Sequence, residues 1–555
     1  MAFTDRQANR GSISTAAYSI DNSVLIDGAN CDGQITQTGG DRKTHTISFW
    51  HKRAPRGTIN GTDAGESDGT SEDLWGTASE GDTLRFNGSR LAFFNEGGTG
   101  GQLYTTRVLR DYSAWYHFVI AIDTTQGTAA NRIKMYVNGE QQTVFDTEEY
   151  PDEDDEFKLM QSGQIFYIGA GHGSTTNPNG QGYYAEFIIV DGAAKAASDF
   201  GEFDSDSGIW KPIEYTGDFN TGSGTNGGHY KFEGTAEGTG GSATGIDSSG
   251  NSNTINFRNH NGGLTDTPTN NFCTINPIDH PDTLNEISEG NLRATGGQPH
   301  SGTMHITSGK WYYEWKVTSF GSGGYTTVFC GLMSYLYPTQ AFGDTGGVGN
   351  WGYKDPVATA GDPITMAFRL YPGAHYCFKN SNDGASSNSM TGGQDFTFVA
   401  GSIIRVCIDY DNGAYWLGVW EGSPDSGNSA YIGGDGTEND GHGWLNHGAS
   451  AGQSNPATGA YPGIGTGSAG TAQGRSTQDG SQSDASLLTT VPGPVRIWQY
   501  VYAGSNNSDV QVNYGNPPYT WSGSSYADAN GYGKFQYEPP SGFYALCSKN
   551  LAEFG

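Results

Sequence analysis

The stretches "AWYHFVIAID" (residues 114–123) and "RIKMYVNGE" (residues 132–140) decide the fold class. Both are runs of β-branched and aromatic residues bounded by Gly, Asn or Asp, the composition of a strand packed on a pleated surface. The second carries Asn138-Gly139, a dipeptide favoured in two-residue hairpin turns because both central positions need positive φ. Four further runs of the same kind surround them: "HTISFWHKR" (45–53), "RLAFFN" (90–95), "QIFYIGA" (164–170) and "YYAEFIIVDG" (183–192). One short piece, "AAKAASDF" (193–200), reads as helix. Antiparallel strands with almost no helix predict a sandwich or barrel.

Further along, residues 211–265 thin to Gly, Ser, Asn and Thr around one strand in "HYKFEG" (229–234). Strands then resume in "MHITSGKWYYEWKVTS" (304–319), "TTVFCGLMS" (326–334), "ITMAFRLY" (364–371), "HYCFKN" (375–380), "SIIRVCIDYDNGAYWLGVWEG" (402–422) and "VRIWQYVYA" (495–503). Asn412-Gly413 marks a second hairpin tip. Between the two series lies "DTPTNNFCTINP" (266–277), which follows neither the helix nor the strand period. Pro268 and Pro277 fix φ and bias the preceding residues toward extended backbone. The asparagines suit turns, and Phe272 is an anchor to bury, so this piece reads as the seam between two domains. The segment 423–494 breaks the strand rhythm: it is long, rich in Gly, Ser, Asn and Asp, and carries Tyr431, Trp444 and Tyr461. A loop of that length is ordinarily functional or disordered. Its aromatics favour an ordered excursion that lies on the domain itself or on a partner.

Composition agrees with two domains. The chain has 555 residues, too many for one core. Its 86 glycines sit beside 12 % aromatic residues, which many short strands joined by glycine-rich turns would give. The formal charge of −30 excludes a sequence-independent grip on nucleic acid, which needs a basic face. No apolar run approaches the ~20 residues of a membrane span, and the start "MAFTDRQANRGS" lacks a signal peptide's apolar core. Cys31, Cys273, Cys330, Cys377, Cys407 and Cys547 are widely spaced, and three lie inside apolar strand runs. That pattern predicts six buried free thiols, made in a reducing cytoplasm.

At the level of whole blocks the chain resembles known proteins. "RKTHTISFWHKR", "WYHFVIAID", "IKMYVNGE" and "IFYIGAG", in that order, resemble the laminin-G type of concanavalin A-like jelly roll. "SGKWYYEWKV", "CGLMS", "CIDYDNGAYWLGVW" and "VNYGNPP" resemble the SPRY domain, another sandwich of that class. The joining blocks "AEFIIVDG", "FGEFDSDSGIWKPIEYTG", "DSSGNSN", "DTPTNNFCTINP", "SEGNLRATG" and "PPSGFYALCSKNL" resemble tailed-phage virion proteins, especially from marine phages. The resemblance implies an all-β chain of two concanavalin A-like jelly-roll β-sandwiches, laminin-G-like then SPRY-like. It implies an N-terminal arm over 1–20, a first sandwich over 21–265, a seam over 266–285, a second sandwich over 286–515 and a C-terminal extension over 516–555. The insertion 423–494 and residues 1–9 depart from the pattern. The implied role is a virion structural or adhesion protein (tail fibre, spike or surface appendage) assembled in the bacterial host cytoplasm. Its implied partners are further copies of itself as a trimer, other virion proteins and a host-surface glycan. A polysaccharide-degrading tailspike and a purely architectural joining protein are the alternatives.

The residues carry little catalytic chemistry. A retaining glycosidase needs two carboxylates about 5–5.5 Å apart, and the E-x-D-x-x-E spacing that supplies them on one strand does not occur. "GASAG" (448–452) and "GSGTNG" (222–227) match motif strings without the strand–helix setting those motifs need. The acidic run "DTEEYPDEDDEF" (146–157) reads either as a solvated loop or as a calcium site using Asp152, Asp154 and Asp155. Sugar recognition sets aromatic faces against a pyranose with polar groups close by. Trp351, Tyr353, Tyr431, Trp444 and Tyr461 lie in such loop-like surroundings and are the candidate glycan contacts. Trp50, Trp115, Trp311, Trp315, Trp416 and Trp420 lie in strand runs and read as core.

Overall fold

The computed structural model describes residues 18–27, 31–54, 71–78, 81–95, 100–171, 180–277, 287–295, 299–319, 327–334, 363–371, 374–381, 384–389, 400–411, 414–420, 444–447, 494–502 and 509–555. The chain is all-β and divides into two compact units, one built chiefly from Asn9–Asn271 and the other from Phe272–Ile287 and Asn291–Gly555. The sandwich expected from the strand runs, and the concanavalin A-like class that the resemblance implies, are observed.

The first unit holds two eight-stranded sheets. In the first sheet the order is Glu140–Gln141, Ile133–Val137, Tyr116–Asp123, Thr44–Arg53, Gly182–Asp191, Ser23–Ile26 and Asn261–Leu264, with Gly228–Tyr230 also paired to Gly182–Asp191. In the second the order is Phe145–Glu149, Gln102–Val108, Arg90–Asn95, Asp82–Asn87, Ser71–Thr77, Ile165–Ile168, Asp32–Thr36 and Asn256–Arg258. The core between them takes Phe49, Phe118, Ile120 and Phe187 from the first sheet and Trp75, Leu84, Phe86, Phe93 and Phe166 from the second. Because side chains alternate along a strand, the neighbours of these residues face outward. Trp50 is therefore not in this core. It packs with Trp115, Tyr183 and Ala185 in a cluster on the outer side of the first sheet. Tyr136 likewise sits against an outer cluster of Val119, Ile188, Val190 and Phe200.

The Asn138-Gly139 hairpin forms as its sequence requires, with φ of 48° and 79°, and Val137 pairs with Glu140. The Asn138 side chain also accepts a hydrogen bond from His117 N at 2.7 Å. The helix read over 193–200 shrinks to a single 3-10 turn, Ala197–Asp199. The thin region 211–265 is no thin linker: Tyr230, Phe232, Ile255 and Phe257 are buried in the main core. Its loops are held by carboxylates that collect backbone donors. Asp191 accepts from Asp41 N, Thr225 N and Asn226 N at 2.8–2.9 Å, and Asp247 accepts from His229 N, Ser249 N and Asn253 N at 2.9–3.0 Å.

The piece read as a seam divides between the units at Asn271–Phe272. Its first half closes the first unit. Asp266 accepts from Lys52 Nζ at 2.8 Å and from Trp115 Nε1 at 3.1 Å, and the Lys52 and Asp266 side chains are both fully buried. Lys52 also reaches Asn271 Oδ1 at 2.7 Å. Thr269 Oγ1 accepts from Ile20 N and donates to Ile20 O, and strand Ser23–Ile26 runs antiparallel to Asn261–Leu264. The first and last described segments of this unit therefore meet.

In the second unit the sheets have eight and six strands. The eight-stranded order is Ile287–Ser288, Arg293–Thr295, Asp509–Asn513, Lys310–Ser319, Ile403–Asp409, Ala414–Trp420 and Trp444–His447, with Tyr544–Ala545 parallel to Lys310–Ser319. The six-stranded order is Pro299–Ile306, Val495–Tyr502, Thr327–Ser334, Pro363–Tyr371, Ala374–Ser381 and Gly384–Ser389. Trp311, Tyr313 and Trp315 are fully buried, as expected of a core strand. The hairpin expected at Asn412-Gly413 has its tip outside the described residues, while its arms pair antiparallel, Asp409 with Ala414. Residues 516–555 are integral here rather than appended. Phe272, Tyr312, Cys407, Phe535, Phe543, Ala545 and Cys547 form one cluster, and the chain ends in a helix, Ser548–Phe554, that no sequence pattern announced.

Cys31, Cys273, Cys407 and Cys547 are free and buried; the side chains of Cys330 and Cys377 lie outside the described residues. Burial pushes the Cys31 thiol up to about 12 and the Cys407 thiol well above its usual value. Since the thiolate is the reactive form, these four should resist alkylation in the native protein and react fully in denaturant. Intact-mass counting of alkylated thiols checks this, and any disulfide-linked peptide in the native digest contradicts it.

Candidate functional site

The second sheet of the first unit builds the best-defined surface group. Strand Asp82–Asn87 turns Leu84 and Phe86 into the core, which sends Thr83 and Arg85 to the outer side. Arg90–Asn95 sends Leu91 and Phe93 inward and Ala92 and Phe94 outward. Register aligns Asp73, Arg85, Ala92 and Tyr104 in one row across four strands, and Thr83, Phe94 and Gln102 in the next. The Arg85 guanidinium lies 3.6 Å from the Phe94 ring centroid. Tyr104 meets the same ring edge-on at 5.0 Å. Phe94 is buried beneath them, while Tyr104 and Arg85 are half-buried and Gln102 is exposed. A cation over an aromatic face gains about 0.5–2 kcal/mol, so this group is held in place. It offers a fork of N–H donors beside an aromatic edge.

The outer side of the first sheet is different. Its apolar clusters are covered by residues of 193–271 that pack on it, among them Ala197, Phe200, Tyr215, Trp210 and Leu264. A serine and a histidine do meet there: Ser48 Oγ lies 2.9 Å from His117 Nε2. Trp210 Nε1, which can only donate, points at His117 Nδ1 from 3.0 Å. Nδ1 is thus the acceptor, and Nε2 carries the proton and donates to Ser48. An imidazole in that state cannot take the serine proton. Burial between the stacked rings of Trp50 and Trp210 also pushes His117 down to about 3. This pair is a structural hydrogen bond, not an activated nucleophile.

A second polar group sits at a bulge in Gly182–Asp191, where the register shifts between Ala185 and Ile188. Glu186 there has φ of 48°, a conformation non-glycine residues hold only when their surroundings enforce it. Its Oε1 accepts the Tyr18 hydroxyl at 2.5 Å and lies 2.6 Å from His229 Nε2. Burial, then the Glu186 charge, raises the Tyr18 hydroxyl above its usual range, so Tyr18 remains a donor. The group ties the segment at Tyr18 to the sheet.

Three structural comparisons bear on the fold. The laminin α1 chain, domains LG4-5, of mouse is 10 % identical over 73 % of this chain and 78 % of its own, with a TM-score of 0.25. The SPRY domain of human HERC1 is 11 % identical over 43 % of this chain and 96 % of its own, with a TM-score of 0.21. The heptameric SAP-like pentraxin of Limulus polyphemus is 14 % identical over 32 % of this chain and 80 % of its own, with a TM-score of 0.24. No known protein family and no curated protein matches the chain by sequence.

Of the residues singled out by sequence, the structure gathers few. Trp351, Tyr353, Tyr431 and Tyr461 lie outside the described residues. Trp444 opens a strand whose backbone pairs with Gly418. The acidic run is a strapped loop: Asp154 pairs with Lys43 at 3.0 Å, Glu156 with Arg42 at 2.5 Å and Glu153 with Arg132 at 3.7 Å. Asp155 accepts from Asn95 Nδ2 at 3.2 Å. Asp152, Asp154 and Asp155 do not converge on a shared point, and no cluster of three His, Cys, Asp or Glu among the described residues forms a metal donor set. Among the three candidate ligands, Lys43 holds Asp154 and the Asn95 amide holds Asp155. Arg85 and Phe94 escaped notice because a strand's outward residues look incidental until the register sets them side by side. The usable signal was the alternation in "DTLRFNGSRLAFFN" (82–95).

Proposed function

We propose that this chain is a binding and adhesion protein of a tailed-phage particle: a fibre, spike or surface appendage that touches host-surface glycans. It works as a homo-oligomer among other virion proteins, assembled in the host cytoplasm. The ordered series of joining blocks supports the particle, and the Arg85–Phe94–Tyr104 group supports the ligand. That group is the observation that carries the reading, because a guanidinium fork beside a half-buried aromatic ring suits a hydroxylated ring with one apolar face. The committed tautomer of His117 speaks against a serine nucleophile at the Ser–His contact the structure shows.

Binding of the full chain to polysaccharide extracted from the host surface tests this. Tyr104→Ala should weaken binding about tenfold or more while shifting Tm by only a few degrees, since Tyr104 is half-buried and outside the main core. Retained binding by this variant, or no binding by the unmodified chain, defeats the reading. New reducing ends released on incubation would instead establish the degrading tailspike.

A further inference from the structure

We propose that the outer face of the second sheet selects an acidic saccharide, with Arg85 receiving the carboxylate of a hexuronate; this rests on the reading of that face as a saccharide site. With 59 acidic and 29 basic residues, cations here have carboxylates to spare, and six other arginines of this unit show it. Arg42, Arg53, Arg90, Arg107, Arg132 and Arg258 each pair with a carboxylate at 2.5–3.7 Å. Arg85 has no such pair among the described residues, although Asp73 is its cross-strand neighbour. Its Nε is buried with no hydrogen-bond partner. Two positions along the same face, Thr83 is 2 % exposed and its hydroxyl also lacks a partner. Buried polar groups are ordinarily satisfied. The half-buried Arg85 side chain, with no carboxylate pair among the described residues, is the place where a ligand supplies an acceptor.

The chemistry of that ligand follows from the donors. A guanidinium presents parallel N–H groups that match a carboxylate bidentately, and stacking on Phe94 fixes the plane of the fork. The half-buried Tyr104 ring packs on the C–H face of the sugar. A sulfate ester on a neutral sugar offers related acceptors, so the two anions are separated by experiment.

Calorimetric titration of the full chain with a hexuronate oligosaccharide, its carboxyl-reduced counterpart and a sulfated neutral oligosaccharide gives the test. The uronate should bind at least tenfold tighter than the reduced form. Arg85→Lys keeps the charge and the cover over Phe94 yet should lose most of that preference, and Arg85→Gln should abolish it. Tighter binding of the sulfated sugar than of the uronate overturns the carboxylate assignment. Equal binding of uronate and reduced sugar, unaffected by Arg85→Lys, overturns the proposal while leaving a saccharide site standing. No binding of any of the three removes the saccharide reading itself.

Discussion

Acidification from pH 6.5 to pH 4 should destabilise the first sandwich. Three of its histidines are fully buried: His45 beside Phe157, His51 between Phe86 and Tyr184, and His117 between Trp50 and Trp210. Burial pushes them down to about 4, 3 and 3, with the Asp191 charge partly opposing it at His45 and the Arg53 charge adding to it at His51. In the unfolded chain each titrates near 6.5. Within this window the unfolded state therefore binds three protons that the folded state refuses, and stability falls as pH falls. Asp82 works the other way. Burial raises it to about 7 against the donated N–H of Leu159, so the folded state holds a proton that the unfolded carboxylate lacks. Glu72, raised by burial despite Arg53, acts in the same sense. Three protons against about two leaves about one, a slope of about 1.4 kcal/mol per pH unit. Over two units that is about 3 kcal/mol, a large share of the stability of an ordinary domain, about 5–15 kcal/mol. Scanning calorimetry of the full chain across pH 7–4 should show one transition falling steeply. A flat profile, or one that rises on acidification, contradicts the buried neutral state of these histidines.

The Lys52–Asp266 pair gives the second large effect. Breaking a buried ion pair from one side costs about 3–5 kcal/mol, because the remaining charge keeps its desolvation and loses its partner. Lys52→Met leaves the Asp266 carboxylate without its cation, with Trp115 Nε1 still donating to it. Asp266→Asn leaves the Lys52 ammonium with Asn271 and with the Tyr183 ring at 5.8 Å. Either change should lower Tm by about 6–20 °C for a unit of this size. The double variant Lys52→Met/Asp266→Leu should recover much of that loss, since an apolar pair has no charge to strand. A double variant as unstable as the sum of the singles would show that packing, not charge, sets the cost.

The longer strand runs were legible in the chain, while Ser71–Thr77, Asp82–Asn87 and Gln102–Val108 were not, and the side of the sheet was less legible still. The alternation in 114–123 and 45–53 marks Phe118 and Trp50 as equally apolar. Only the second apolar layer, supplied by 193–271, tells that Trp50 faces away from the main core. That layer is hard to read because its glycines and asparagines serve turns, while single residues such as Tyr230 and Phe257 do the burying. The helix expected over 193–200 shortens to one turn, whose Ala197 and Phe200, three apart and so on one face, both pack on the sheet. The ligand group needed the register across Asp82–Asn87, Arg90–Asn95 and Gln102–Val108, which no single strand encodes.

The meeting of Ile20 with Thr269, and of Ser23–Ile26 with Asn261–Leu264, has a mechanical consequence. Tension applied to the two ends of the first unit enters and leaves at adjacent points. The load falls on the two Ile20–Thr269 hydrogen bonds and then on the Lys52–Asp266 lock, not across the sandwich. The ladder carrying Arg85, Phe94 and Tyr104 lies in the other sheet, off that force path. That sheet is thereby left slack, with the lock serving as the rip-stop.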